Sequence, residues 1–137
     1  MHNTSTAARY KTKTTANAGL ISPEPHNIIM KGGDATTDEI FRSVKKGVYI
    51  TNVWYTRFQN HLTGDFSTIP RDGAFYIENG KIKHPLKDIR VSENIVQMLK
   101  NISLVGKDVT QVKSWEVDIP TFCPHVLVKN VQITKPT

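Results

Sequence analysis

Asn79-Gly80 lies between Phe75-Tyr76-Ile77 and the segment carrying Ile82, and this pair constrains the fold of the 137-residue chain more tightly than any other feature. A two-residue type I′ turn needs positive φ at both central positions, which Asn and Gly reach at low steric cost, and its twist matches that of paired strands. A β-hairpin is therefore expected here, and any sheet built on it begins antiparallel.

The surrounding pattern extends that sheet. From Val48 to Phe58 the run of Val48, Tyr49, Ile50, Thr51, Val53, Trp54, Tyr55 and Thr56 favours one long strand, with Asn60 to Gly64 turning into the next segment. These aromatics read first as core and sheet-face residues, and only secondarily as an aromatic ligand box. Thr36-Thr37-Asp38-Glu39 presents a capping box, so a helix is expected over 37–46, with Ile40, Phe41 and Val44 as its apolar stripe and Gly47 as its C-terminal cap. Ser92 is expected to cap a second helix ending near Ser103, with Ile95, Val96, Met98, Leu99 and Ile102 turned inward. Two closing strands follow around Val109 to Val117 and Val126 to Ile133, separated by breaks at Pro120 and Pro124. Leu20-Ile21 opens an apolar stretch that Pro23 and Pro25 interrupt and Ile28-Ile29-Met30 resumes, as a kinked or edge strand ending at Gly32-Gly33. Residues 1–19 hold five threonines but no Leu, Ile, Val or Phe, and read as a flexible arm or an edge strand. Strands without regular alternation with helices predict an α+β fold, a mainly antiparallel sheet with two short helices, in a single domain over 1–137.

Composition narrows the function classes. No apolar run approaches the roughly 18 residues of a membrane span, and a basic, threonine-rich N-terminus is unlike a secretory signal core, so a soluble, cytoplasmic chain with no membrane partner is expected. Cys123 is the only cysteine, which rules out an intrachain disulfide. The net charge of +6 would suit nucleic acid, but Arg9, Lys45, Arg71, Lys87, Lys113 and their fellows are scattered among acids and match no nucleic-acid module, so a solvated basic surface is the simpler reading. His2, His26, His61, His84 and His125 are widely spaced and form no HExxH set, so each reads as a surface or structural histidine. Cys123 and His125 would share one face of a strand, but two donors do not close a metal site. A Cys123 nucleophile would need an activating environment that sequence does not display. Gly32-Gly33 fits neither GxGxxG nor GxxxxGK.

The blocks Ser5-Thr6-Ala7-Ala8-Arg9, Gly47-Val48-Tyr49-Ile50-Thr51, Thr63-Gly64-Asp65-Phe66-Ser67, Ile77-Glu78-Asn79-Gly80-Lys81-Ile82, Pro85, Asn94 and Ile102-Ser103-Leu104-Val105-Gly106-Lys107-Asp108 together resemble, in order and spacing, the C-terminal region of the TldD/PmbA (TldE) family. That resemblance implies a cytoplasmic metallopeptidase system, earlier labelled a modulator of DNA gyrase, in which a zinc-dependent TldD-type subunit pairs with a PmbA-type subunit to degrade peptides or unfolded segments. In TldD-type chains an HExxxH helix precedes the region matched here, so the resemblance implies a fragment of a longer protein. TldD-type chains also carry a metal-binding cysteine in a Cys-Gly-Lys segment; here the corresponding stretch runs Val109-Thr110-Gln111-Val112-Lys113-Ser114-Trp115, and Cys123 falls later, as in the tail of PmbA-type chains. No catalytic, cofactor-binding or metal-binding residue is therefore assigned, and zinc is expected in a TldD-type subunit. The expected role is scaffold, subunit pairing and lining of a peptide chamber, with peptide joining a free sheet edge at Thr12 to Asn17 or Val48 to Thr56. The alternatives are a basic, gyrase-modulator-like nucleic-acid module or a structural oligomerisation domain.

Overall fold

The computed structural model describes residues 1–17, 19 and 22–135. Leu20 and Ile21, read above as the start of an apolar stretch, lie outside the described residues. The chain divides into two compact units, Met1–Lys31 with Thr110–Cys123, and Gly32–Val109 with Pro124–Thr137.

Along the chain run α1 (Thr4–Arg9), β1 (Ile28–Ile29), α2 (Thr37–Ser43), β2 (Lys46–Ile50), β3 (Val53–Asn60), β4 (Asp65–Pro70), β5 (Ala74–Glu78) and β6 (Lys81–Pro85). There follow β7 (Arg90–Asn94), α3 (Ile95–Lys100), β8 (Ile102–Val105), β9 (Thr110–Val112), β10 (Thr121–Cys123), β11 (Val126–Val128) and β12 (Ile133–Thr134). The fold is α+β and mainly antiparallel, as expected, but with three short helices among the described residues instead of two.

The hairpin forms as its turn chemistry dictates. Asn79 and Gly80 take φ of 50° and 76° between β5 and β6, and β2 adds to the other side of β5, giving the order β2-β5-β6. A second sheet runs β12-β7-β4-β3. The expected long strand is broken at Thr51-Asn52 into β2 and β3, which join different sheets. The two ladders are nonetheless stitched end to end, because the Thr51 amide donates to the Gly73 carbonyl and the Arg71 amide to that of Asn52. The core of this larger unit holds Ile40, Phe66, Ala74, Ile77, Ile89 and Val91, of which Ile77 is only 4% exposed. Each of the larger side chains contributes about 1.5–3 kcal/mol by leaving water. Thr68, 3% exposed, is satisfied by the Trp54 carbonyl and the Thr56 hydroxyl, each at 3.0 Å.

Several boundaries differ from expectation for identifiable reasons. The Thr36 capping box forms, but α2 stops at Ser43 and Gly47 is a β2 residue opposite Ile77, not a cap. The hairpin turn claims this segment, since the Asn79 and Gly80 amides donate to the carbonyls of Lys45 and Val44. Ser92 caps nothing: it pairs with Ser67 in the β4–β7 ladder, and Asn94 is the N-cap of α3. That helix buries no residue fully, with Val96 and Leu99 more than half exposed, and Ile102 belongs to β8. The closing strands are shorter than expected, and Val126 to Ile133 is split between β11 and β12 in separate sheets.

In the smaller unit, β1 pairs in parallel with β10 and β10 antiparallel with β9. β10 occupies the three residues between Pro120 and Pro124, where only a break was expected. Residues 4–9, expected as arm or edge strand, form α1, capped by the Asn3 side chain and favoured by Ala7-Ala8-Arg9. Thr12 to Asn17 form no strand; instead the Thr14 hydroxyl and the Thr15 amide bond the His2 carbonyl.

Candidate functional site

A sheet margin offers unpaired backbone groups, and the margins of this chain differ in length, register and charge. β6 carries Lys81, Lys83 and Pro85, the charge and missing amide that close an edge, and its register with β5 shifts between Tyr76 and Ile77. β3 shifts register with β4 at two places, and Tyr55 within it sits at φ 56°. β1 and β12 are two residues each. β2 keeps all five residues in continuous register with β5, from Lys46↔Glu78 to Ile50↔Ala74, and contains no proline. Among the described residues it is the longest margin with an unbroken register.

Tyr49 of β2 gathers an aromatic group around this margin. Its ring lies 6.3 Å from its cross-strand partner Phe75 and nearly parallel to it, 5.1 Å from Phe41 of α2 in an edge-on arrangement, and 6.2 Å from the His125 imidazole. Tyr49, Phe41 and Phe75 are half-buried and His125 is exposed. Sequence reasoning took these residues as separate strand, helix and loop positions. The β2 alternation fixes the side on which Tyr49 points, but Phe41 and His125 arrive from distant segments, and no local pattern joins them.

The Thr63-Gly64-Asp65 block and Asn94 meet and bind each other. The Asn94 amide nitrogen donates to the Thr63 carbonyl at 2.7 Å and to the Asp65 carboxylate at 2.9 Å, while its oxygen accepts from the amides of Val96 and Gln97, both at 3.1 Å. The Thr63 hydroxyl donates to the other Asp65 oxygen. That bond first, and the Asn94 bond second, hold the Asp65 carboxyl below its ordinary range. Gly64 is at φ 82°, and a Cβ there would meet Ile95 Cγ2 at 2.9 Å. This cluster ties the β3–β4 turn to the start of α3. Every polar group in it is engaged with a neighbour, which suits structure, not catalysis.

The histidines stay apart. His2 lies against Tyr10, His61 stacks on Phe58, His84 packs on Tyr76, His125 borders Tyr49, and His26 is exposed. Cys123 ends β10, half-buried, and the boundary between the two units falls directly after it. No group of three His, Cys, Asp or Glu able to hold a metal ion occurs among the described residues, so the donors present do not fit a zinc site. A concavity of about 580 Å³ is lined by Arg71, Asp72, Phe75, Lys87 and Asp88 among others. Its Arg71 lies over the Trp54 and Tyr55 rings at 5.4 and 5.6 Å, which gives the sheet aromatics a cation–π partner, and Asp72 accepts from Asn52 at 2.7 Å. No helix of the described residues is long and apolar enough to cross a membrane.

Comparison with known proteins places this arrangement. Residues 1–135 match the model of the PmbA/TldA metallopeptidase C-terminal domain. The zinc metalloprotease TldD homolog of Saccharolobus solfataricus is 28% identical over 113 residues, 78% of this chain and 25% of the relative. Metalloprotease PmbA of Escherichia coli O157:H7 is 31% identical over 98 residues, 71% of this chain and 20% of the relative. The chain thus spans about a quarter of the length of the curated relatives it matches. Among solved structures, a proposed modulator of a DNA gyrase from Thermotoga maritima superposes with a TM-score of 0.84 at 30% identity, covering 98% of this chain and 30% of the other. TldE from Thermococcus kodakarensis gives 0.78 at 22% identity over 93% of this chain and 29% of its own, a likeness of fold. With residues 1–135 matched, the chain belongs to the PmbA/TldA (TldD/PmbA) metallopeptidase family, matching its C-terminal domain.

Proposed function

We propose that this chain serves a TldD/PmbA-type peptidase system in the cytoplasm as one C-terminal domain that pairs with a second subunit and lines the space where peptide is held. The zinc and the water-activating groups belong to a TldD-type partner, and the substrate is a peptide or unfolded segment. The observation that carries this reading is the β2 margin, five residues in unbroken register and free of proline beside a half-buried aromatic group, while the other margins are short, bulged or carry a proline. Backbone pairing at such an edge gives affinity without demanding a particular sequence, as a peptidase acting on unfolded chains requires.

Hydrogen exchange on the 137-residue chain tests it. Adding an unfolded peptide is expected to slow exchange of the outward amides of Lys46, Val48 and Ile50 and to leave those of Lys81 to His84 unchanged; protection spread evenly, or absent, would reject the β2 edge. The chain alone is expected to hydrolyse no peptide in zinc and to retain well under one zinc per chain by elemental analysis. Stoichiometric zinc accompanied by hydrolysis would overturn the scaffold reading.

A further inference from the structure

Neighbouring residues of a strand point to opposite faces, so Lys46, Val48 and Ile50 share one face of β2 while Gly47 and Tyr49 share the other. The Tyr49 face is aromatic, with Phe41, Phe75 and the exposed His125 ring around it. The other face is charged at its Lys46 end, ahead of Val48 and Ile50. Glu78 is the cross-strand partner of both Lys46 and Lys81, so one carboxylate stands between two amines. Arg42 and Lys45, both exposed, add positive charge just before the strand. A strand added to β2 must repeat the same alternation. Its residues beside Tyr49 and beside Lys46 are three positions apart and therefore face opposite ways, each toward the matching chemistry.

Resting on the reading that β2 accepts peptide, we infer that the preferred occupant is an extended segment carrying an aromatic side chain and a carboxylate three residues apart, the first against Tyr49 and the second facing Lys46. The aromatic residue gains ring contacts beyond its apolar area, and the carboxylate gains a cross-strand charge pair. A spacing of two or four puts both groups on one face and forfeits one of the two contacts.

The test uses the 137-residue chain and labelled eight-residue threonine/serine peptides, read by fluorescence anisotropy. A peptide with Phe and Glu three apart is expected to bind about tenfold more tightly than its Phe→Ala counterpart. It should also bind severalfold more tightly than the versions with spacing two or four. The Glu preference should vanish in the Lys46→Gln protein and at about 0.5 M salt, where exposed charges are screened, while the Phe preference persists. Replacing His125 by Ala should weaken the Phe preference without altering that for Glu. N-methylation of alternate peptide amides separates the two levels of the argument. Methylation-sensitive binding that is indifferent to Phe, Glu and their spacing overturns the inferred selectivity and leaves the edge reading intact. Binding that ignores methylation, or no binding, overturns both.

Discussion

Replacing Asn94 by Ala probes the junction between the β3–β4 turn and α3. Two kinds of contact disappear together. The Asn94 oxygen caps α3 through the Val96 and Gln97 amides, and loss of such a cap costs about 1 kcal/mol. The amide nitrogen's bond to the Thr63 carbonyl contributes about 1 kcal/mol more, for a total near 2 kcal/mol before the Asp65 contact is counted. The Asp65 contribution has a definite pH dependence. Its folded pKa is depressed from 3.8 by Thr63 and Asn94, so the stabilisation is fully present above that value and is lost as pH falls through the lower folded pKa. The difference between wild type and Asn94→Ala should therefore be largest near neutrality and shrink in strong acid. Urea unfolding followed by the fluorescence of Trp54 and Trp115 reads this directly. A shift below about 0.5 kcal/mol at pH 7, or a difference that grows in acid, would refute the view that Asn94 fastens the turn to the helix.

Thr36→Ala should cost about 1 kcal/mol by circular dichroism melts, since it removes the hydroxyl that accepts the Glu39 amide. The same capping box depresses the Glu39 pKa, chiefly through the Thr36 amide, so its contribution is present above 4.5 and fades as pH falls through the lower folded value. Gly80→Ala should destabilise by about 1–2 kcal/mol in chemical denaturation, because φ is 76° and the new Cβ would lie 3.0 Å from Arg42 Cα. A Gly80→Ala protein as stable as wild type would remove the turn from the list of determinants.

What the sequence made legible was local chemistry. Asn79-Gly80 and the Thr36–Glu39 box form as their side chains require, because each needs only residues within one turn. What escaped was decided by partners far along the chain. Gly47 has the look of a helix cap, but the amides of Asn79 and Gly80 bind the carbonyls of Lys45 and Val44, and Val44 leaves the helix in extended backbone. Ser92 has the look of an N-cap, yet pairing with Ser67 assigns it to β7 and passes the capping role to Asn94. In the candidate site the alternation of β2 was readable, whereas Phe41 and His125 reach Tyr49 only through the tertiary fold. Thr63 and Asp65, and Asn94 far along the chain from them, turn out to be mutual partners.

The parallel pairing of Ile28 with Thr121 also bears on the order in which the chain is made. On the ribosome, β3 with β4 and β5 with β6 close as hairpins over short loops at small entropic cost, while β2 and β4 each wait for a strand three strands later, β5 and β7. Ile28 and Ile29 have no ladder to enter until Thr121 and Phe122 have been translated. The smaller unit is therefore completed only when the later segment returns to the earlier one.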